Sequence, residues 1–170
     1  YNTICYKAGW RAAFEGDQTK ADTFTAADGS KQQVDFMHRT DEGTYRKGEG
    51  YTAAPRRLKY GRMVFVLPDE GVTPESLLAR DGFLTELTGE YSMADVVWSV
   101  PRFDVKSSVD LKDILKALGV TDAFDENVAD FTPLTDSGAV VSSVMQAARV
   151  KIDEDGVEAA AYTEIVADTT

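Results

Sequence analysis

Residues 157–167 read Val-Glu-Ala-Ala-Ala-Tyr-Thr-Glu-Ile-Val-Ala, and their alternation offers a way into the fold of this 170-residue chain. Alternate residues of a strand face opposite sides. The pattern therefore predicts a strand with one buried face, although Glu-Ala-Ala-Ala also suits a helix or an exposed loop, and an ordinary edge strand is the simpler alternative. A segment that can be loop or strand is a candidate switch. Its small or apolar side consists of Val157, Ala159, Ala161, Thr163, Ile165 and Ala167.

An acidic turn comes immediately before this segment. Asp153-Glu154-Asp155-Gly156 looks like the middle of a calcium-binding loop. With Gly156 as the turn glycine, however, the first ligand position falls on Lys151 and the bidentate glutamate position on Tyr162. This register excludes a calcium site. The acidic cluster is then either a solvated turn or a charged pivot beside a segment that moves.

Short apolar runs separated by Gly, Asp and Pro predict a chain that is rich in β-structure and contains no repeat or linker. Gly48-Glu49-Gly50 mimics part of a dinucleotide-binding motif, but it lies between two strand candidates and therefore predicts a hairpin turn. The predicted strands are 2–7, 34–39, 44–47, 51–59, 63–67, 94–100, 103–107 and 140–153.

Two helices have recognisable ends in the sequence. The first is predicted over 111–118, because residues 107–110 have capping-box spacing before an apolar stripe and Gly119 can end the helix. The second is predicted to begin at Thr73-Pro74, a capping residue followed by proline in the first helical position. A further helical turn or two is expected around 83–87.

The composition is that of an acidic globular protein. The chain has 18 Lys and Arg against 29 Asp and Glu, so its net charge is −11. A surface this negative repels phosphate backbones and anionic lipid headgroups, so neither nucleic acid nor membrane is an expected partner. Hydrophobic residues make up 43% of the chain, which is enough for one substantial core but not for a membrane span.

A single cysteine and a single histidine limit the chemistry. Cys5 cannot form an internal disulfide, and His38 cannot alone supply the ligands of a structural zinc site. The sequence contains no nucleophile elbow, phosphate-binding loop or zinc-protease helix. A nucleophilic pair of Cys5 and His38 is a weak alternative, because His38 fits a structural strand position. We therefore predict no catalytic residue, no metal site and no cofactor.

Six blocks of residues, spread over essentially the whole chain, have a recognisable order and spacing. They are Asn2, Tyr6, Lys7, Trp10 and Phe14; Val34-Asp35-Phe36-Met37; Leu58-Lys59-Tyr60-Gly61 through Leu67-Pro68; Pro101-Arg102-Phe103 to Asp110-Leu111, Leu115, Leu118-Gly119, Phe124 and Ala129-Asp130-Phe131; Val141-Ser142 to Ala147; and Glu154-x-Gly156-x-Glu158-Ala159-Ala160-Ala161. Together these blocks resemble the serpins, a family made up mostly of serine-protease inhibitors.

The resemblance implies an α+β, β-rich serpin fold fragment, with strands of the large central sheet and of two smaller sheets plus a few short helices. Residues 1–170 would form a single partial serpin domain without the family's helical N-terminal half and C-terminal strands. Residues 154–170 would be the reactive-loop hinge and loop. Ala8, Gln146 and Tyr162 depart from the family pattern, which usually has glycine, histidine and a small residue there. Because residues 1–6 already read as a strand, we expect the chain to be part of a longer protein.

In serpins the reactive loop is bait: the protease cuts it, is held as an acyl-enzyme, and the loop inserts into the large sheet as a new central strand. The resemblance thus implies a protease inhibitor rather than an enzyme, with a serine protease as covalent partner. It also implies association with the remaining serpin segments and an extracellular, secreted location. Trp10 would lie where the sheet opens, and Gly156 is expected to supply unusual backbone angles. The hinge and inserting face would be Glu154, Gly156, Val157, Ala159, Ala161, Thr163, Ile165 and Ala167.

The customary loop length, counted from Glu154, places the residue before the scissile bond at Thr170, where the chain ends, or at Thr169 if the count shifts. A small β-branched residue suits an elastase-like protease with a small apolar pocket and excludes trypsin-like enzymes. We therefore expect a suicide-substrate inhibitor with a cut loop, although a chain divided at a convenient place would look the same. The alternatives are a non-inhibitory serpin-fold carrier or chaperone and an unrelated acidic binding module or enzyme.

Overall fold

A computed structural model describes residues 1–169, which form nine β-strands, three α-helices and two short 3-10 helices. None of the described helices is long and apolar enough to cross a membrane. In chain order the elements are β1 (Asn2–Gly9), a 3-10 helix (Gly16–Gln18), β2 (Thr19–Thr25), β3 (Lys31–Gly48), β4 (Tyr51–Arg57), β5 (Arg62–Pro68), α1 (Pro74–Leu78), α2 (Phe83–Glu86), β6 (Ser92–Pro101), β7 (Phe103–Asp110), α3 (Lys112–Ala117), a second 3-10 helix (Asp122–Phe124), β8 (Ala139–Ile152) and β9 (Gly156–Thr169).

The chain divides into two compact units. The first comprises Tyr1–Lys7, Phe103–Lys151 and the chain from Glu158 onward. It contains a four-stranded sheet in the order β1-β9-β8-β7, so β9 is an interior strand with a neighbour on each side. The second unit comprises Ala8–Arg102 and Ile152–Val157.

The second unit is built around β3, an 18-residue strand. Its first part pairs with β2, its middle part with β6 and its last residues with β4, which in turn pairs with β5. All these pairings are antiparallel. Met37, which is paired on both edges of β3, is completely buried. A small core forms where Tyr51 and Ala53 of β4 pack with Leu77 of α1 and Phe83 of α2.

Several local sequence signals are confirmed. The Thr73 hydroxyl caps α1 by accepting a hydrogen bond from the Ser76 backbone N–H at 3.2 Å, with proline in the first turn. Gly119, with φ of 95°, follows α3 in the left-handed conformation that ends a helix. The glycine-rich segment at 48–50 is a hairpin turn, because Gly48 of β3 pairs with Tyr51 of β4.

The helix predicted over 111–118 is confirmed as α3, but the capping box predicted at residues 107–110 is wrong. Residues 107–110 belong to β7, and α3 begins at Lys112, whose backbone N–H donates to the Asp110 carboxylate at 2.9 Å. The strand continues because β7 lies against β8, and the Leu111 backbone N–H still donates to the Val144 carbonyl of β8 at 2.8 Å. Sheet pairing thus outweighs a local capping signal.

The five-stranded sheet around β3 also differs from the prediction. Strands predicted at 34–39 and 44–47 are one strand, β3, because residues 40–43 pair with Ala94–Val97 of β6 despite their turn-like composition. The strand β2, with the polar sequence Thr-Lys-Ala-Asp-Thr-Phe-Thr, was not predicted. It forms by pairing along the first residues of β3.

The burial of Met37 predicts a matched pair of variants. Met37→Ala removes a fully buried side chain and should lower the free energy of unfolding by roughly 2–5 kcal/mol. Met93→Ala on β6, where the side chain is 73% exposed, should change it by less than about 0.5 kcal/mol. Urea denaturation followed by circular dichroism measures both. Equal effects of the two substitutions would contradict this placement of the core.

Candidate functional site

The candidate site is centred on the three residues that join β8 to β9, namely Asp153, Glu154 and Asp155, which we call the hinge turn. The Asp153 carboxylate accepts hydrogen bonds from the backbone N–H groups of Asp155 at 3.0 Å and Gly156 at 3.2 Å. The Asp153 N–H donates to the Gly156 carbonyl at 3.1 Å. An aspartate at the first position of a tight turn bonds its own backbone in this way. The acidic cluster is thus a structured turn.

Every carbonyl of the hinge turn accepts a hydrogen bond from residues 10–14, which we call the anchor segment. The Trp10 indole N–H donates to the Asp153 carbonyl at 2.8 Å, and the Trp10 backbone N–H donates to Asp155 at 2.9 Å. The Phe14 backbone N–H donates to the Glu154 carbonyl at 3.1 Å. Trp10 itself is only 3% exposed. Trp10 thus contacts the hinge turn directly, and its role where the sheet opens stays a prediction.

The Glu154 side chain is held by two polar groups. One carboxylate oxygen accepts a hydrogen bond from the Thr19 hydroxyl at 2.7 Å, and the other lies 3.4 Å from Nε of Arg102. Arg102 also approaches Asp35 at 3.9 Å. Main-chain and side-chain groups of Glu154 are thus both fixed within the second unit, so the hinge turn has a defined conformation.

Position 156, the first of β9, requires a glycine because there is no room for a side chain, and not because of its backbone angles. Among the described residues the glycines with positive φ are Gly29, Gly50, Gly61, Gly71, Gly82 and Gly119, so the expected unusual angle at Gly156 is wrong. A Cβ at this position would overlap the Ala8 carbonyl oxygen and lie 2.7 Å from Cα of Gly9. The start of β9 therefore passes too close to the end of β1 for any side chain.

Burial along β9 falls from its start to its end. Val157 is 6% exposed, and Ala159, Ala161 and Thr163 are partly buried on the same side of the strand. Further along, Ile165 is 59% exposed, and Ala167 is exposed as well. The small or apolar side of the strand is thus at least partly covered as far as Thr163 and exposed from Ile165 onward.

The other side of β9 carries ion pairs with neighbouring strands. Glu158 lies 3.1 Å from Lys7 of β1 and 3.9 Å from Arg149 of β8. Arg149 binds both carboxylate oxygens of Asp104 on β7 at 2.7 Å, and these hydrogen bonds lower the pKa of Asp104. Because the pairs are solvent-exposed, they contribute to the register of the sheet more than to its stability.

The other residues considered from the sequence, Cys5, His38, Thr169 and Thr170, lie outside the hinge turn. Cys5 is exposed on β1, and His38 on β3 lines an open cleft of about 340 Å³. Within residues 1–169 no group of three or more His, Cys, Asp or Glu side chains could hold a metal ion. Thr169 is the last residue of β9, and Thr170 lies outside the described residues.

Sequence reasoning missed the side chains that support Trp10. Arg56 of β4, Asp41 of β3 and Trp98 of β6 form a cluster beside it. An arginine in the interior of a strand, between Pro55 and Leu58, is the signal that could have indicated a buried charge. Its partner Asp41 was missed, because residues 40–43 lie between two predicted strands and were not expected to pair with β6.

Comparison with known proteins identifies the family to which this architecture belongs. The family described as "Serpin (serine protease inhibitor)" matches residues 1–170, so the chain belongs to the serpin family. The alternative of an unrelated acidic module is therefore wrong, and the predicted serpin fold is confirmed by the solved structures.

Individual relatives show the same relationship. Glia-derived nexin of Mus musculus is 31% identical over 97% of this chain and 44% of its own length, and Serpin-Z1C of Triticum aestivum is 32% identical over 96% and 44%. Reactive-loop-cleaved human thyroxine-binding globulin superimposes with a TM-score of 0.87 at 27% identity, covering 99% of this chain and 51% of that structure. The chain thus spans about half the length of the relatives it matches.

The close approach at Gly156 predicts the effect of a single methyl group. Gly156→Ala should lower the free energy of unfolding by roughly 1–3 kcal/mol, because the backbone of residues 8–9 must move. The control is Gly16→Ala, since a Cβ there would meet nothing within 4 Å. Thermal unfolding by calorimetry compares the two. If Gly156→Ala were as stable as Gly16→Ala, the contact between the start of β9 and the end of β1 would be refuted.

Proposed function

We propose that the protein containing this chain is a serine protease inhibitor that acts as a suicide substrate. The observation that carries the proposal is the place of β9, an interior strand between β1 and β8 that leaves β8 through a three-residue turn. A reactive loop that has been cut and has inserted into the large sheet would occupy this position. Residues 1–170 would then be one partial serpin domain, with 154–170 as hinge and reactive loop.

The side chains of β9 support insertion at low cost. A new interior strand of about a dozen residues gains ladder hydrogen bonds worth about 1 kcal/mol each, so insertion is favourable by on the order of 10 kcal/mol. A charge or a bulky polar group on the inward side would offset this gain. Here that side begins with Val157, Ala159, Ala161 and Thr163. The outward Tyr162 is 46% exposed and does not obstruct the strand.

The proposed target is an elastase-like or another small-pocket serine protease. The scissile bond would follow Thr170 or Thr169, and a small β-branched residue fits a small apolar pocket while it excludes enzymes that require Lys or Arg. The protease would be held as a covalent acyl-enzyme. We place the protein outside the cell on family resemblance.

A non-inhibitory carrier is the second candidate, and one observation favours keeping it. A reactive-loop-cleaved thyroxine-binding globulin resembles this chain closely, and that protein is named for a bound hormone. A cleaved reactive loop is therefore compatible with a serpin that is named for binding thyroxine. Formation of a covalent protease complex separates the two candidates.

The direct experiment incubates the full-length protein with elastase, trypsin and subtilisin and resolves the products on denaturing gels. We expect a stable covalent adduct with elastase and none with trypsin. Mass spectrometry of the released C-terminal peptide then locates the bond at Thr169 or Thr170. Slow cleavage without an adduct for all three proteases would contradict inhibition and favour the carrier.

The inward position of Val157 predicts a variant that is a substrate but not a trap. Val157→Arg places a charge on a side chain that is 6% exposed, so insertion should become slower than hydrolysis of the acyl-enzyme. The covalent adduct should fall at least tenfold while cleavage of the loop continues.

The matched control for this variant is Ala160→Arg, three residues further along β9 on the exposed side of the strand. It should retain most of the adduct, because the added guanidinium stays in water. An undiminished adduct with Val157→Arg, or an equal loss with both variants, would show that burial of the hinge does not control trapping.

A further inference from the structure

Arg56 is a buried arginine surrounded by aromatic rings. The residue is 4% exposed, and its guanidinium carbon lies 4.1 Å from the centre of the Phe14 ring, 5.2 Å from Trp98 and 5.5 Å from Trp10. We call Arg56 and these three rings the arginine cage. Each distance is within the range of a cation–π interaction, which is stronger away from water. The cage therefore holds the guanidinium in a fixed plane.

The polar contacts of Arg56 tie β4 to two other segments. Nη2 donates to the Ala12 carbonyl at 2.7 Å, and Nη1 lies 3.3 Å from the Asp41 carboxylate. Among the described residues Nε has no hydrogen-bond partner. Burial lowers the pKa of Arg56 and the nearby Asp41 opposes this, but a guanidinium stays charged at neutral pH.

Asp41 does not depend on Arg56 alone. It accepts hydrogen bonds from Nε of Arg39 at 2.7 Å and from the Trp98 indole N–H at 3.0 Å. Burial opposes its ionisation, yet these hydrogen bonds and the charge of Arg56 keep its pKa below the usual value. Replacing Arg56 would therefore leave the carboxylate paired. Since a buried ion pair is often no more stable than an apolar residue of similar volume, stability alone does not explain an arginine here.

The cage and the hinge turn share the anchor segment. Trp10 and Phe14 form two walls of the cage, and Ala12, between them, accepts a hydrogen bond from Arg56. The same Trp10 and Phe14 donate the hydrogen bonds to the three hinge-turn carbonyls. One guanidinium thus contacts three residues of the anchor segment, and two of these, Trp10 and Phe14, donate to the hinge turn. A change at Arg56 would reach the turn through this segment.

We propose that Arg56, oriented by Asp41, is a positioning residue that fixes the anchor segment and through it the conformation of the hinge turn. The effect on the turn is independent of any protease. Its consequence for inhibition rests on the proposed function: a turn held in the geometry that joins β8 to an inserted β9 favours trapping over hydrolysis of the acyl-enzyme.

The test is hydrogen exchange in the full-length protein with Arg56→Leu. The reporters are the Trp10 indole N–H and the backbone N–H groups of Trp10 and Phe14, which donate to the hinge turn. We expect exchange at all three to accelerate at least tenfold. The unfolding midpoint should change little, because Asp41 keeps Arg39 as its partner and Leu fills an apolar cage. Unchanged exchange at the three reporters would overturn the proposal.

Two further variants separate positioning from a general loss of structure. Arg57→Leu is the matched control, because it makes the same change one residue along β4 at an exposed position, and the reporters should not respond. Arg56→Lys keeps the charge but loses the planar fork and should give intermediate exchange. Acceleration of exchange throughout the β3–β6 pairing, together with a lower midpoint, would identify a merely structural role and contradict the proposal.

The functional consequence is measured separately, as the amount of inhibitor consumed for each elastase molecule trapped. This ratio should rise several-fold in Arg56→Leu and stay unchanged in Arg57→Leu. If the unaltered protein forms no adduct, the proposed function fails while the exchange result still decides whether Arg56 positions the turn. An unchanged ratio in a protein that does trap elastase would refute the link between the turn and trapping.

Discussion

The hydrogen bonds from Trp10 and Phe14 to the hinge turn are the constraint on which the candidate site depends. They engage the carbonyls of all three turn residues, while the turn's own backbone bonds close it through Asp153. A short, charged loop at the end of two long strands would otherwise be free to open. Because its carbonyls are bound, the turn itself has a defined conformation, and Gly156 allows the start of β9 to pass close to the end of β1.

The hinge turn is important because the strand that follows it, β9, lies in the interior of a sheet. A strand flanked by β1 and β8 has partners for its backbone on both edges, and its inward side chains project from one face of the sheet, where small or apolar groups can be buried. On the inward side of β9, Val157 is the most buried residue. Burial decreases along the strand toward Ile165, which is exposed. We therefore expect substitutions at the start of β9, near Val157, to impair insertion of the strand more than substitutions near its end.

Sequence could predict those features that depend on short-range patterns. Alternation placed a strand after Gly156, Thr73 and Pro74 placed a helix start, and the order of motifs placed the chain among the serpins. It failed where distant pairing overrides local signals, as when β8 keeps residues 107–110 in a strand. The arginine cage was also beyond reach, because its members lie far apart in the chain and meet only through the pairing of strands.

The most direct measurement of the central claim, that β9 is a reactive loop inserted after cleavage, is the thermal unfolding midpoint of the full-length protein before and after its loop is cut. About a dozen new ladder hydrogen bonds should raise the midpoint by roughly 10–20 °C after cleavage. A midpoint that stays the same or falls on cleavage would show that the loop gains no place in the sheet, and would contradict the account.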